Sequence, residues 1–192
     1  DAKKRFNASV GYKSLIEDLH SLGIAIQGCF VFGLHHDTPE VFDQTAQFVI
    51  DAGIELPRFS VLTPFPGTPL YSRLEMEGRI LTRDWELYDG QHVVFAPKQM
   101  TVNELIQGHE RAWKTVYRWS AMSKRLWRAK NFQPLAMSAN LGYRFYAHNL
   151  QKFYTCDVHT SLLPNPLRLL TPEKKEMFSG QSVGSQRKVV CG

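Results

Sequence analysis

Apolar residues recur at helical spacing from Ser9 to Leu22, where Val10, Tyr12, Leu15, Ile16, Leu19 and Leu22 form one stripe. Asn7 or Ser9 offers the cap and Gly23 the stop, so the spacing predicts an amphipathic helix. The pattern then changes to a nearly continuous apolar run, Ile24 to Phe32, of strand length. Such a run suits a strand buried on both faces, as in a parallel sheet. After the polar turn His35-His36-Asp37, Thr38 is placed to cap a helix with Pro39 at its first position, running to Ala52. Its inner stripe is read as Val41, Phe42, Thr45, Phe48 and Val49, with Gly53 as the left-handed residue that ends it.

A second strand is predicted at Arg58 to Leu62, followed by the loop Thr63-Pro64-Phe65-Pro66-Gly67-Thr68-Pro69 and a helix from Leu70 to Glu77 stopped by Gly78. His92 to Phe95 is read as one further short strand. Helices and strands alternating at these lengths argue for βα units in an open sheet or a barrel. From Thr101 the pattern is helical throughout. Thr101 and Glu104 make a capping box, and one long helix is expected up to a break at Asn131 to Pro134. A further helix follows through Met137, Leu141, Phe145, Leu150 and Phe153; beyond Cys156 the periodicity fades.

Composition adds two constraints. With 43% apolar and 12% aromatic residues in 192, the chain can bury a core, which excludes global disorder. The formal charge of +5 is concentrated between Arg111 and Lys130, a stretch that contains no acid. Cys29, Cys156 and Cys191 are far apart and form no CxxC pair, which argues against a disulfide framework or a self-contained zinc or cluster site and for a reducing, cytoplasmic setting. Cys29, inside a strand, is expected to be a small buried hydrophobe.

The passage Gly28-Cys29-Phe30-Val31-Phe32-Gly33-Leu34-His35-His36-Asp37-Thr38-Pro39-Glu40 and the Pro-Gly-Thr-Pro loop about thirty residues later carry a resemblance to radical S-adenosylmethionine (radical SAM) enzymes, especially the cobalamin-binding group. Glu77-Gly78-Arg79-Ile80, Trp85, Tyr88-Asp89, His92 to Phe95 and Gly142 to Leu150 are similar to that family's downstream segments. The resemblance, which covers roughly residues 1–157, implies an α/β fold: the C-terminal portion of a (β/α) radical SAM partial barrel at residues 1–97 and an α-helical region at 98–157, while the fading pattern leaves 158–192 as a loosely ordered tail. It implies S-adenosylmethionine and a 4Fe-4S cluster as cofactors, and cobalamin in the full-length protein. No CxxxCxxC is present in this chain, so the cluster ligands are not here and the chain by itself is not expected to be active.

In the family the two strand ends help hold the adenine of S-adenosylmethionine through backbone and apolar contacts. That role carries over to Gly28, Phe30, Thr63, Pro64 and Phe65; catalytic residues are unassigned and no metal ligand is expected. Active sites of parallel barrels lie at the carboxyl ends of the strands, which agrees with this placement. Gly33 and Gly67 are required as turn glycines in any case, and which face of the first strand lines the barrel is open from sequence. The resemblance implies methyl transfer or another radical carbon modification, with a small apolar substrate and an electron-donor protein as partners. Nucleic acid is not expected; a membrane surface is a candidate.

Two other readings compete. The basic helix from Arg111 to Lys130, interleaved with Trp113, Trp119 and Trp127, is a candidate binding module for nucleic acid or an anionic membrane, against the plainer reading of a solvated face with the tryptophans packed beneath it. A different barrel enzyme, a hydrolase using His35, His36 and Asp37, would need further metal ligands on other strand ends.

Overall fold

The computed structural model describes residues 11–129 and 134–150. Among them are six α-helices: α1 (Tyr12–Ser21), α2 (Val41–Ala52), α3 (Pro69–Met76), α4 (Val102–Val116), α5 (Trp119–Arg128) and α6 (Pro134–His148). The strands β1 (Gln27–Phe32) and β2 (Leu56–Val61) pair in parallel, with Phe30 opposite Phe59 and Phe32 opposite Val61. The chain is therefore α/β, and its two apolar segments are neighbouring parallel strands as expected. Val10, Phe153 and the proposed tail lie outside the described residues.

The β1–α2–β2 unit ends its helix as the sequence indicates, with Gly53 at φ +74° in the left-handed region. The start differs. The helix begins at Val41 with no side-chain cap, and its buried stripe is Phe42, Ala46, Val49 and Ile50, one step round from the expected one. Phe48, 37% exposed, lies at the margin of that stripe, where it meets Phe30 edge-on.

β1 is not buried on both faces. Its burial alternates, with Gln27, Cys29 and Val31 exposed and Phe32 buried, so Cys29 is an exposed thiol rather than a core residue. The covered face carries Phe30, Phe32, Phe59 and Val61 beneath α2 and α4. Phe32 stacks on Phe59, and Trp113 of α4 meets Phe59 edge-on at 5.5 Å. Gly108 lets α4 come close to α2: a Cβ there would lie 2.2 Å from the Phe42 ring.

His92 to Phe95 forms no strand of the parallel sheet. Phe95 instead bridges Ile80 in antiparallel fashion, and Leu81 donates its N–H to the Val94 carbonyl.

The long helix expected after Thr101 is two. The Thr101–Glu104 capping box opens α4, but the chain breaks at Arg118, which is extended (φ −67°, ψ 148°), before α5 starts. Arg125 accounts for the break physically. Wholly buried, its guanidinium donates to the carbonyls of Val116, Ile54 and Glu55 and to Asn140 Oδ1 of α6, at 2.7–3.0 Å. The α4 carbonyl and the loop into β2 thus share one donor fork, which a continuous helix would carry away from them. Burial pushes the Arg125 pKa down to about 10, still leaving it charged at neutral pH. In α6 the inner positions are Ala136, Asn140 and Ala147, whereas Leu141 and Phe145, part of the apolar pattern that predicts the helix, are exposed.

Candidate functional site at the strand ends

The face of the sheet away from α2 and α4 carries Gln27, Cys29, Val31, Arg58 and Ser60. Neither α2 nor α4 covers this face, and Cys29 and Val31 are exposed on it. At the carboxyl ends the two strands remain tied, since Leu62 N–H donates to Phe32 O at 2.8 Å.

Beyond β2, Phe65-Pro66-Gly67-Thr68 closes a turn in which Thr68 N–H donates to Phe65 O and Gly67 has φ +80°. Proline followed by a residue at positive φ is the requirement of a type II turn. Thr68 then caps α3, its Oγ1 accepting from Tyr71 N–H and donating to Phe65 O at 2.7 Å, with Pro69 in the first turn. The local chemistry of Pro-Gly-Thr-Pro thus makes a rigid platform. Pro64 is buried, Thr63 is half-buried and Phe65, 54% exposed, projects from the strand end.

Thr63, Pro64 and Phe65 are brought together there; Gly28 and Phe30 are not beside them. Gly28 pairs with Pro57 near the start of both strands, and its side-chain position is closed by Ile54 and Phe30. Phe30 packs on Phe59 and Phe48 on the helix-covered face. Their side-chain direction leaves only their own backbone to meet a ligand on the open face. Gly33, at the β1 tip, has φ +91°, and a Cβ there would press on Leu105 and Phe95 at 3.2 Å. Its glycine is required by the turn and by packing.

A carboxylate–imidazole pair stands beside the β2 tip. Val61 N–H donates to Gly90 O at 2.7 Å, holding loop 89–92 along the strand. Asp89 Oδ1 accepts from the N–H groups of Gln91 and His92 and lies 3.1 Å from His92 Nδ1. Burial raises the Asp89 pKa, but these hydrogen bonds outweigh it and hold the carboxyl below the usual range. A carboxylate on Nδ1 fixes the orientation of the ring, whose Nε2 is buried. Tyr146 OH, 3.3 Å from Gln91 Oε1, ties α6 to the same loop. Arg58, Asp89 and His92 were not among the expected site residues. An Asp-x-x-His spacing across Gly90 is a usable signal for the pair, whereas Arg58 reads as an ordinary strand polar residue.

The His35-His36-Asp37 turn does not assemble a metal site. Asp37 Oδ2 accepts from Gly33 N–H and Leu34 N–H, and His35 Nε2 lies 3.2 Å from Lys98 Nζ. No group of three or more potential metal ligands occurs among the described residues. Cys29 is the one cysteine among them, so the described residues do not fit a 4Fe-4S cluster, which needs several thiolates together.

Comparison with known proteins gives these features a family. The chain is 39% identical over 123 residues to bacteriochlorophyllide d C-12(1)-methyltransferase of Chlorobaculum tepidum, covering 64% of this chain and 26% of the relative. It is 27% identical over 121 residues to anaerobic magnesium-protoporphyrin IX monomethyl ester cyclase of Cereibacter sphaeroides, covering 63% of this chain and 19% of that protein. Hopanoid C-2 methylase of Rhodopseudomonas palustris matches at 33% over 81 residues, 42% of this chain and 15% of the relative. The chain spans about a quarter or less of the length of these relatives. The set bears out the resemblance of the sequence to radical SAM enzymes. Residues 68–163 match the family described as domain of unknown function DUF4070, and the chain belongs to it.

Proposed function

We propose that this chain is the C-terminal portion of a cobalamin-dependent radical SAM enzyme that methylates, or otherwise modifies through radical chemistry, an unactivated carbon of a small apolar molecule in the cytoplasm. Residues 1–97 would supply the last βα units of the barrel, 98–157 its helical region and 158–192 a tail. The observation that carries the reading is the parallel β1–β2 pair ending in the Thr63–Pro69 platform, in a chain similar to two methyltransferases and a cyclase.

Thr63, Pro64 and the exposed ring of Phe65 would form one wall for the adenine of S-adenosylmethionine. Gly28 and Phe30 would contribute backbone further down β1, on the open face. The cofactors would supply the radical or methyl group, and the full-length enzyme would need an electron-donor protein as partner. This chain orients the nucleoside and shields it, with the cluster held by residues outside the described set.

Titration calorimetry of the full-length protein with S-adenosylhomocysteine tests the assignment. Phe65→Ala, at an exposed position, is expected to weaken binding roughly tenfold by removing a stacking surface, without changing the circular dichroism spectrum. Undiminished affinity in that variant would remove the platform from the binding site.

A further inference from the structure

The surface built by α5 and α6 has a one-sided chemistry. Neither helix contains Asp or Glu, and none occurs anywhere from Arg111 to Cys156. The inward positions of α5 are Ala121, Met122, Arg125 and Leu126. Its outward line is Trp119, Ser123 and Trp127, each four residues apart and so on one side of the helix. Trp119 is 58% exposed and Trp127 is 86% exposed.

Of the three tryptophans in the basic stretch, Trp113 is packed in the core as the plainer expectation required; the other two are not. Arg144 of α6 lies 4.5 Å over the Trp119 ring, which joins the two helices into one surface. Phe145, 62% exposed, and Leu141, one turn before it, extend that surface. Arg118 opens α5, and Lys124 and Arg128 border the opposite side, where they meet Asp51.

We propose that the α5–α6 face docks on the surface of an anionic lipid bilayer, with Trp119, Trp127, Leu141 and Phe145 in the headgroup region and the bordering cations on the lipid phosphates. Indoles favour this interface because one edge is apolar and the N–H remains wet, while basic residues nearby gain from the negative surface potential. A nucleic acid would satisfy the cations but gains nothing from Leu141, which offers no stacking plane. A second copy of the same face is disfavoured by like charge, because α5 and α6 carry no acid to meet its cations. The contact is peripheral: no helix among the described residues is long and apolar enough to cross a membrane.

The test is sedimentation of the full-length protein with phosphatidylcholine vesicles, with and without phosphatidylglycerol, at low and high salt, while tryptophan emission is recorded. Binding is expected to the phosphatidylglycerol vesicles, with a blue shift, and to weaken steeply as salt rises. Trp127→Ala and Phe145→Ser, both at exposed positions, should each reduce it roughly tenfold. Equal affinity for the two vesicle types, or variants that sediment like the parent, would overturn the proposal. So would tighter binding to a single-stranded oligonucleotide than to vesicles, a concentration-dependent dimer that Trp127→Ala abolishes, or full protection of Trp127 from acrylamide in the vesicle-free protein.

Discussion

On one face of the β1–β2 pair, Phe32 and Phe59 stack with centroids 5.4 Å apart and lie under α2 and α4; on the other, Val31, the neighbour of Phe32, is 45% exposed. The strands are parallel, and parallel strands in complete folds are covered on both sides. The covered face is finished to the last ring, with Phe42, Trp113, Tyr117 and Tyr146 in edge or stacked contact. The open face is assembled from residues that tolerate water: Gln27, Arg58 and Ser60 beside Cys29 and Val31. The apolar packing therefore lies on the helix side, and the other side is left open.

If that division is right, the largest loss should come from the covered side. Trp113 is wholly buried and touches Phe59, Tyr117, Tyr143 and Tyr146. Trp113→Ala is expected to cost about 3–5 kcal/mol, read as a shifted midpoint in urea unfolding. A loss below about 1 kcal/mol would mean that the aromatic cluster is not the core. Arg125 comes next. Arg125→Met keeps much of the volume but deprives the carbonyls of Ile54, Glu55 and Val116 of their shared donor. About 3 kcal/mol is expected, since breaking a buried charged network leaves its partners unpaired. A neutral or stabilising result would show that these carbonyls find other donors.

The covered face also sets a pH dependence through His109, buried between Phe59 and Trp113. The Trp113 indole N–H, a donor and never an acceptor, lies 3.1 Å from His109 Nε2, so that nitrogen accepts and carries no proton. The Phe59 carbonyl, 3.3 Å from the same atom, is then a polar neighbour rather than its acceptor. Burial, opposed weakly by that carbonyl, lowers the His109 pKa from 6.5 to about 4. The unfolded chain takes up this proton below pH 6.5 and the folded chain resists until about 4, so the contribution is complete above 6.5 and falls as pH is lowered through that window. Between pH 7 and 5 the expected loss is about 2 kcal/mol, absent from a His109→Gln variant compared over the same range. Equal slopes for the two proteins would place the titration elsewhere.

What the sequence revealed divides along the same line. The parallel strands, the Gly53 stop and the Thr101–Glu104 box were legible because each follows from local pattern or backbone chemistry. The burial of β1 was misread because an apolar run does not say whether both sides are covered. The break at Arg118 was invisible because it depends on Arg125 reaching across to Ile54 and Glu55, some seventy residues away in sequence. At the candidate site, the Pro-Gly-Thr-Pro platform was readable, while the Asp89–His92 pair depends on Gly90 docking against Val61.

The smallest expected effect isolates the comparison most cleanly, because one substitution can be made on both faces. Valine to threonine preserves shape and β-branching and exchanges a methyl for a hydroxyl, so strand propensity scarcely changes. At Val61, which is buried, the hydroxyl enters the packed side, and about 1–2 kcal/mol of destabilisation is expected for an oxygen taken from water. At Val31 the same hydroxyl remains hydrated, and the change should fall within about 0.5 kcal/mol. Equal losses at both positions would mean that the Val31 face is packed in solution, which would remove the opening that the proposed nucleoside site requires.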